Sequence, residues 1–366
     1  MKKIITLVLM AILWFGLSSC LKINENLNKL EIIGKVCEKE NELDWKKCEW
    51  NYVWWAAMNF AWNELKENIL KENVILDTKD KDALELVKKL NNSIVTKNIL
   101  DEKSYYIKSG YGQGTVDLIN KESKEKFPEK SFWDLNIQLN PKDIISYAYF
   151  YKKVEYKEPF YKTDIYFKWK FYKWFKADND EQRKNVKILN YENDDKFIVK
   201  LNLKDNSDEL ILVKWYNMNS PIEAIKEINK YDKKDLKNLE YNDTYHDYFK
   251  APNIKLNYKR KYKTIIWKKL LNKILVKQCL KKNLPKNCYE IYAMFENIKF
   301  DMDNKWAKVE NEAIETEDLT ENIKPIPQYK ERNFYLNKDY WIIMKRTNNK
   351  IPYFILWVKN WNLMQK

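Results

Sequence analysis

Few side chains in this sequence could do chemistry. Histidine occurs once, at His246. A Ser-His-Asp or Cys-His arrangement would have to use that one imidazole. It lies in a polar stretch, 241–246, that reads as surface. There is no histidine cluster and no Cys-x-x-Cys, so the ligand spacing of a structural zinc site is missing. The run Gly110-Tyr111-Gly112-Gln113-Gly114 is not followed by Lys-Ser/Thr, and no strand–turn–helix frame is evident around it. It reads as a flexible turn and not as a phosphate-binding loop. The expectation is a chain that is not an enzyme and needs no metal or organic cofactor.

Cysteine carries the remaining chemistry. Cys20 closes Leu17-Ser18-Ser19-Cys20, after a basic start at Lys2-Lys3 and an apolar run over 4–17. That order is a targeting signal. It looks like a bacterial lipoprotein signal, in which Cys20 becomes the lipidated amino terminus; a plain signal peptide is the other reading. The run is too short for a spanning helix, which needs roughly 20 apolar residues. The expected organisation is a signal at 1–20 and one domain over 21–366, lipid-anchored at the cell envelope or extracellular surface. Export makes disulfides possible, and the two close spacings suggest Cys37–Cys48 and Cys279–Cys288. Three connectivities of these four are open.

Composition is that of a globular protein, 45% hydrophobic and 33% charged. The formal charge of +14 comes from lysine spread along the chain. It reads as a solvated surface, with attraction to acidic polymers or an anionic envelope as the functional alternative. No specific nucleic-acid site and no internal repeat is evident, and a monomer is expected.

These residues must be carried by mixed elements. Ala56, Ala57, Phe60, Ala61, Leu65 and Ile69 keep three- and four-residue spacing and predict a helix over 45–72. A short helix is predicted over 82–90, a buried strand over 144–151, and three strands over 186–191, 197–203 and 209–213. Pro221 opens a helix over 221–228, and another is predicted over 265–276. Strands over 340–344 and 353–358 flank a polar turn. Between Asn311 and Arg332 there is no apolar periodicity, two prolines (Pro325, Pro327) and an acidic first half. A long segment of that kind between strands predicts an exposed, tethered loop.

The carboxy-terminal arrangement resembles the serpins. Without gaps, Asn304-Lys305 falls on the family's His-Lys pair and Glu312 on its hinge glutamate. Asn337-Lys338-Asp339-Tyr340 falls on the start of the strand after the loop, and Phe354-Ile355-Leu356-Trp357-Val358 on the Leu-Phe-Met-Gly-Lys/Arg-Val run. Upstream, residues 143–160 resemble the run Leu-Val-Asn-Ala-x-Tyr-Phe-Lys-Gly-x-Trp-x-x-Pro-Phe. There Ser146 or Tyr147 takes the place of the asparagine that pins the central sheet. Thr163 and Phe167 resemble the family's Thr-x-x-x-x-Phe turn with one residue fewer between them. The resemblance is clearest over 115–366, and no Ser-Pro-x-Ser-Ile shutter motif is found upstream.

The resemblance implies a serpin-like α+β fold, with mixed central β-sheets, amino-terminal helices and an exposed carboxy-terminal reactive loop. It implies a serine-type endopeptidase inhibitor acting through loop 312–332, with a serine or cysteine protease as partner. Glu312, Ala313, Ile314 and Glu315 would form the hinge. The scissile bond would fall at Gln328–Tyr329, with Lys330 as the alternative; Lys330 and Arg332 suggest a trypsin-like target. In that family a cut loop inserts into the central sheet. Here one alternation would bury Glu315, Glu317, Leu319 and Glu321, and a buried unpaired carboxylate costs several kcal/mol. Two further readings follow: a non-inhibitory serpin-fold surface lipoprotein that binds a partner, and an unrelated exported α+β lipoprotein.

Glycine and tryptophan are out of proportion. The chain has 5 Gly and 15 Trp, where about 7% glycine is usual. Trp357 stands at a family glycine. Trp215 and Trp361 stand where turn residues are expected, as does the pair Trp54-Trp55. Either the source reads UGA as glycine and several of these positions are glycine in the cell, or the surface is rich in tryptophan.

Overall fold

The computed structural model describes residues 34–36, 51–129, 134–167, 170–215, 221–231, 236–242, 244–309, 330–359 and 363–365. The signal segment with Cys20, the pair Cys37 and Cys48, and the positions Glu312, Ala313, Ile314, Glu315, Gln328 and Tyr329 lie outside the described residues.

In chain order the first elements are β1 (Gly34–Val36), β2 (Asn51–Trp55), α1 (Ala57–Glu64, continued by a π-helical turn over Leu65–Leu70), β3 (Leu76–Asp77) and α2 (Lys81–Asn91). They are followed by β4 (Tyr105–Tyr111), α3 (Gly112–Lys126), β5 (Ile144–Phe150) and β6 (Lys152–Glu155). The middle holds β7 (Tyr161–Phe167), β8 (Lys170–Lys176), α4 (Asp180–Lys184), β9 (Val186–Asn193), β10 (Lys196–Leu201), β11 (Asp208–Trp215) and α5 (Pro221–Ile228). After these come β12 (Lys237–Asn238), β13 (Tyr245–Pro252), β14 (Ile254–Lys261), β15 (Lys269–Leu270) and α6 (Lys273–Leu280). The chain closes with β16 (Phe295–Met302), β17 (Trp306–Val309), β18 (Lys330–Tyr335), β19 (Tyr340–Arg346) and β20 (Phe354–Val358).

This is an α+β fold with several sheets. The largest has eight strands in the order β1-β2-β20-β19-β11-β10-β9-β12. Its centre is the hairpin β19–β20 against β11, and these strands are apolar on both faces: Ile342, Ile343, Leu356, Leu210 and Leu212 are all buried. Both faces are therefore covered. Two four-stranded sheets, β18-β13-β8-β7 and β14-β16-β17-β6, hold the strands on either side of residues 310–329.

Four expectations are corrected. Residues 51–55 are strand β2, paired with β20, and the helix begins only at Ala57. Tyr52 to Trp55 are β-formers, and Val53, Trp54 and Trp55 are buried beside Phe354 and Leu356. The glycine run is not a turn: β4 passes directly into α3. Gly112 takes φ +67°, and a Cβ there would stand 3.0 Å from Pro141 Cα, so both backbone freedom and bare contact are needed. The stretch 265–276 is not one helix. It holds turns, β15 and the start of α6, because Leu270 pairs with Leu76 of β3 and Asn272 caps Ile75 and Asn73. Thr163 and Phe167 lie in strand β7, where Thr163 pairs with Trp174 of β8, not in a turn.

Ser146 reaches across layers. Its Oγ donates to the carbonyl of Ala61 at 2.6 Å, pinning β5 to α1. Cys279 and Cys288 are joined in a disulfide that closes the loop after α6.

Candidate functional site: the two ends of the loop

Two strands bound residues 310–329, and each is held differently. Upstream, β16 turns sharply into β17. Asp303 makes the turn: its Oδ1 accepts from the N–H groups of Lys305 (2.7 Å) and Trp306 (3.1 Å). An aspartate that bonds the backbone two and three residues on is an Asx turn. Asn304 is buried in it, donating through Nδ2 to Phe160 O at 3.0 Å, while its carbonyl accepts from Phe160 N at 2.7 Å.

That turn sends β17 back between two strands. It is antiparallel to β16 through Asp301↔Lys308 and Met302↔Ala307, and antiparallel to β6 through four pairs, Trp306↔Glu155 to Val309↔Lys152. Ala307 faces the core and is fully buried. Among the described residues, β5 pairs only with β4, and the first part of β16 pairs only with β14. β6 follows β5 after one residue, so β17 points along edges of β5 and β16 on which no described strand is paired.

Charge gathers around this wedge. Asp301 is buried, with Lys255 of β14 and Lys308 of β17 as its register partners and Gln365 Nε2 donating to its Oδ1 at 2.9 Å. Burial, then the Asp303 carboxylate, pushes the Asp301 carboxyl up to about 6, against the two lysines and Gln365. On the other flank Lys152 of β6 is buried. Its ammonium lies 2.7 Å from both Asp101 Oδ2 and Asp208 Oδ2. Burial works to lower the Lys152 pKa, but these carboxylates outweigh it and the net direction is upward.

Downstream, the chain returns as β18, parallel to β13. Lys330 opens the strand, its N–H donating to Thr244 O at 3.1 Å. Arg332 does not project as a recognition residue. Its Nε and Nη2 donate to the two carboxylate oxygens of Asp247, each at 2.6 Å, and Asp247 is fully buried. The bidentate fork is the strong form of this bond, and the hydrogen bond to Asp247 raises the Arg332 pKa further. Its guanidinium also lies 4.4 Å from the Tyr245 ring centre. Asn333 adds a second post, donating from its backbone and side chain to Asp194 at 2.9 and 3.1 Å.

His246 sits on the same strand as Asp247, stacked on Tyr241 with ring centres 4.0 Å apart, and Arg183 lies over Tyr241 at 4.3 Å. It is packed into a surface stack. Among the described residues no group of His, Cys, Asp and Glu could hold a metal ion, and no helix is long and apolar enough to cross a membrane. The Asp247–Arg332 clamp and the Asp303 turn went unseen in the sequence. Asp303 carried a signal, Asp-Asn-Lys being turn chemistry between apolar runs.

No protein-family model matches the chain, and no curated protein sequence matches it. Among solved structures the chain is similar to serpins. Serpin48 of the insect Tenebrio molitor shares 11% identity, with 85% of this chain and 92% of that one covered and a TM-score of 0.44. Mouse protein-Z dependent protease inhibitor shares 11%, covering 85% and 91%, with a TM-score of 0.46. Thyroxine-binding globulin, in its complex with thyroxine, shares 10%, covering 85% and 92%, with a TM-score of 0.44.

Proposed function

We propose that this chain is an exported, lipid-anchored, serpin-like protein that inhibits a serine-type endopeptidase through the segment between β17 and β18. The observation that carries the reading is the placement of β17. It is seated antiparallel between β16 and β6, and among the described residues it runs toward edges of β5 and β16 on which no other strand is paired. A cut in the segment frees one end to continue that pairing. The other end stays fixed by Arg332 on Asp247. Backbone groups that gain partners in a covered sheet make the change downhill. The partner protease is held as an acyl-enzyme while its substrate changes fold. The lipid on Cys20 keeps the inhibitor at the envelope, where foreign or self proteases act.

A second reading is favoured by one observation. Ala307 fixes the alternation of β17, and an inserted strand that kept it would have to bury Glu315, Glu317 and Glu321. Carboxylates in that place oppose insertion, which suits a protein that binds a partner without trapping it.

The test is incubation of the mature protein with trypsin-, subtilisin- and elastase-like proteases, read on denaturing gels and by melting temperature. A covalent complex and a large rise in melting temperature of the cut form are expected of an inhibitor. Clean cleavage with neither leaves the binding protein.

A further inference from the structure

Lysine is spread along the chain, but the excess of positive charge is not. From Tyr248 to Tyr289 the sequence holds twelve lysines and one arginine and no aspartate or glutamate. That stretch carries thirteen of the fourteen net charges, and the rest of the chain is nearly balanced. Part of the excess is answered in the fold: Lys255 stands opposite Asp301, Lys268 meets Asp80 at 2.8 Å, and Lys269 meets Glu290. Two other acids beside α6 are engaged by amides, Glu72 Oε1 accepting from Lys273 N at 2.6 Å and Asp77 Oδ2 from Asn287 Nδ2 at 2.8 Å. What is left gathers on α6 and the loop after it. Lys273, Lys277, Lys281, Lys282 and Lys286 are all exposed, and among the described residues none of them forms an ion pair. Lys142, in the turn before β5, adds another cation: desolvation, then this second ammonium, lowers the Lys282 pKa.

Two leucines stand among these cations. Leu280 is 57% exposed and Leu284 46%. Their placement is fixed. Asn283 takes φ 54°, its N–H donates to Leu280 O, and the N–H of Leu284 donates to Cys279 O, each at 3.0 Å. This pair of bonds ends α6 as a Schellman cap, and the Cys279–Cys288 disulfide closes the loop behind it. A leucine held out in water contributes little to the fold. Leucines ringed by ammonium groups suit the boundary between an anionic headgroup layer and its acyl chains.

We infer that the carboxy-terminal end of α6 and its disulfide-closed loop form a docking site for an anionic lipid surface. Leu280 and Leu284 enter the headgroup boundary, and Lys277, Lys281, Lys282 and Lys286 meet the lipid phosphates. The lysines supply the charge complementarity, each worth roughly 5-fold in binding near such a surface. The leucines supply apolar contact, for which a soluble polyanion has no use. The site is independent of a lipid on Cys20 and of the inhibitor reading.

The test uses the whole mature chain carrying Cys20→Ser, so that no acyl chain contributes. Its flotation is measured with vesicles of phosphatidylcholine alone and of phosphatidylcholine mixed with phosphatidylglycerol. The protein should float with the mixed vesicles and not with phosphatidylcholine. Lys281→Glu with Lys282→Glu should weaken partitioning at least ~10-fold. Leu280→Ser with Leu284→Ser should weaken it at least ~5-fold at unchanged charge. Lys121→Glu with Lys124→Glu makes the same charge change at exposed lysines of α3, and should leave partitioning within ~3-fold. Melting temperatures should agree across the set, since every substituted position in it is exposed. Failure to float with the mixed vesicles would overturn the inference. Equal losses from the α3 and loop lysines would also overturn it, by making net charge the cause. Leucine variants that float like wild type would overturn it too, and binding of polyphosphate by those variants would identify a site for soluble polyanions instead.

Discussion

Lys152 and Asp208 meet 2.7 Å apart between two sheets, with the Lys152 ammonium also 2.7 Å from Asp101. Asp101 in turn accepts from Arg346 of β19 at 2.9 Å. Lys152 belongs to β6, the strand on which β17 is seated, and Asp208 to β11 of the eight-stranded sheet. This ion-pair network thus fixes the wedge to the core of the protein.

Lys152→Met is expected to destabilise the fold by about 3–5 kcal/mol, because it leaves Asp208 buried without its cation. Urea unfolding would show the loss as a lower midpoint at an unchanged slope. Lys152→Met with Asp208→Asn should recover part of it, since both charges are then gone. A single-variant loss below ~1 kcal/mol would mean that water reaches the pair.

Asp301 gives a pH dependence with a defined sign. Its carboxyl is raised to about 6 by burial, then by Asp303. The folded protein binds that proton more tightly than the unfolded chain. Its contribution is therefore fully present below the ordinary aspartate range, near 4, and is lost as pH rises through about 6. Melting temperature measured from pH 5 to 7.5 should fall across this window, and Asp301→Asn should flatten the fall. A variant that melts with the same pH profile as wild type would remove Asp301 as the cause.

The parts of this fold legible in the sequence are those whose signals are local. The strands β9, β10, β11, β19 and β20 carry apolar runs bounded by Asn and Asp, and α5 begins on Pro221 as its proline requires. What was hidden depends on distance. Arg332 and Asp247 are 85 residues apart and meet only because β18 and β13 pair in parallel. β2 was hidden because tryptophan and alanine at 54–57 continue a helical spacing, while the edge of β20 claims 51–55 as strand. The turn at Asp303–Trp306, which aims β17, was hidden too, since its Asx bonds are read only from the folded chain.

Tryptophan at turn positions has a structural counterpart. Trp267 takes φ +65°, a conformation that costs a bulky side chain about 1–2 kcal/mol and costs glycine nothing. Trp341 and Trp357 face each other across β19 and β20 with ring centres 4.6 Å apart, and the Trp341 indole nitrogen is buried without a hydrogen-bond partner. Glycine is expected at 267 and 357 in protein taken from its natural source. Peptide mass spectrometry decides it, and an indole mass at both positions would leave the tryptophan-rich reading.

The glutamates after β17 decide how far an inserted strand can grow. Ala307 points into the core, and in a strand extended from it by strict alternation the inward positions would be 309, 311 and 313 before the first inward glutamate, Glu315. Beyond Ala313 each inward carboxylate must be neutralised or desolvated, at a cost of several kcal/mol apiece. Against a total stability of ~5–15 kcal/mol this is enough to halt insertion. Wild type cut by a chymotrypsin-like protease should therefore gain little in melting temperature at pH 7.5 and more at pH 5, where protonation lowers the cost of burying a carboxylate. Glu315→Ala with Glu317→Ala and Glu321→Ala should raise the melting temperature of the cut form at pH 7.5, while leaving the uncut form within ~0.5 kcal/mol of wild type. An unchanged cut form in that variant would show that the strand does not grow past β17, whatever the charge.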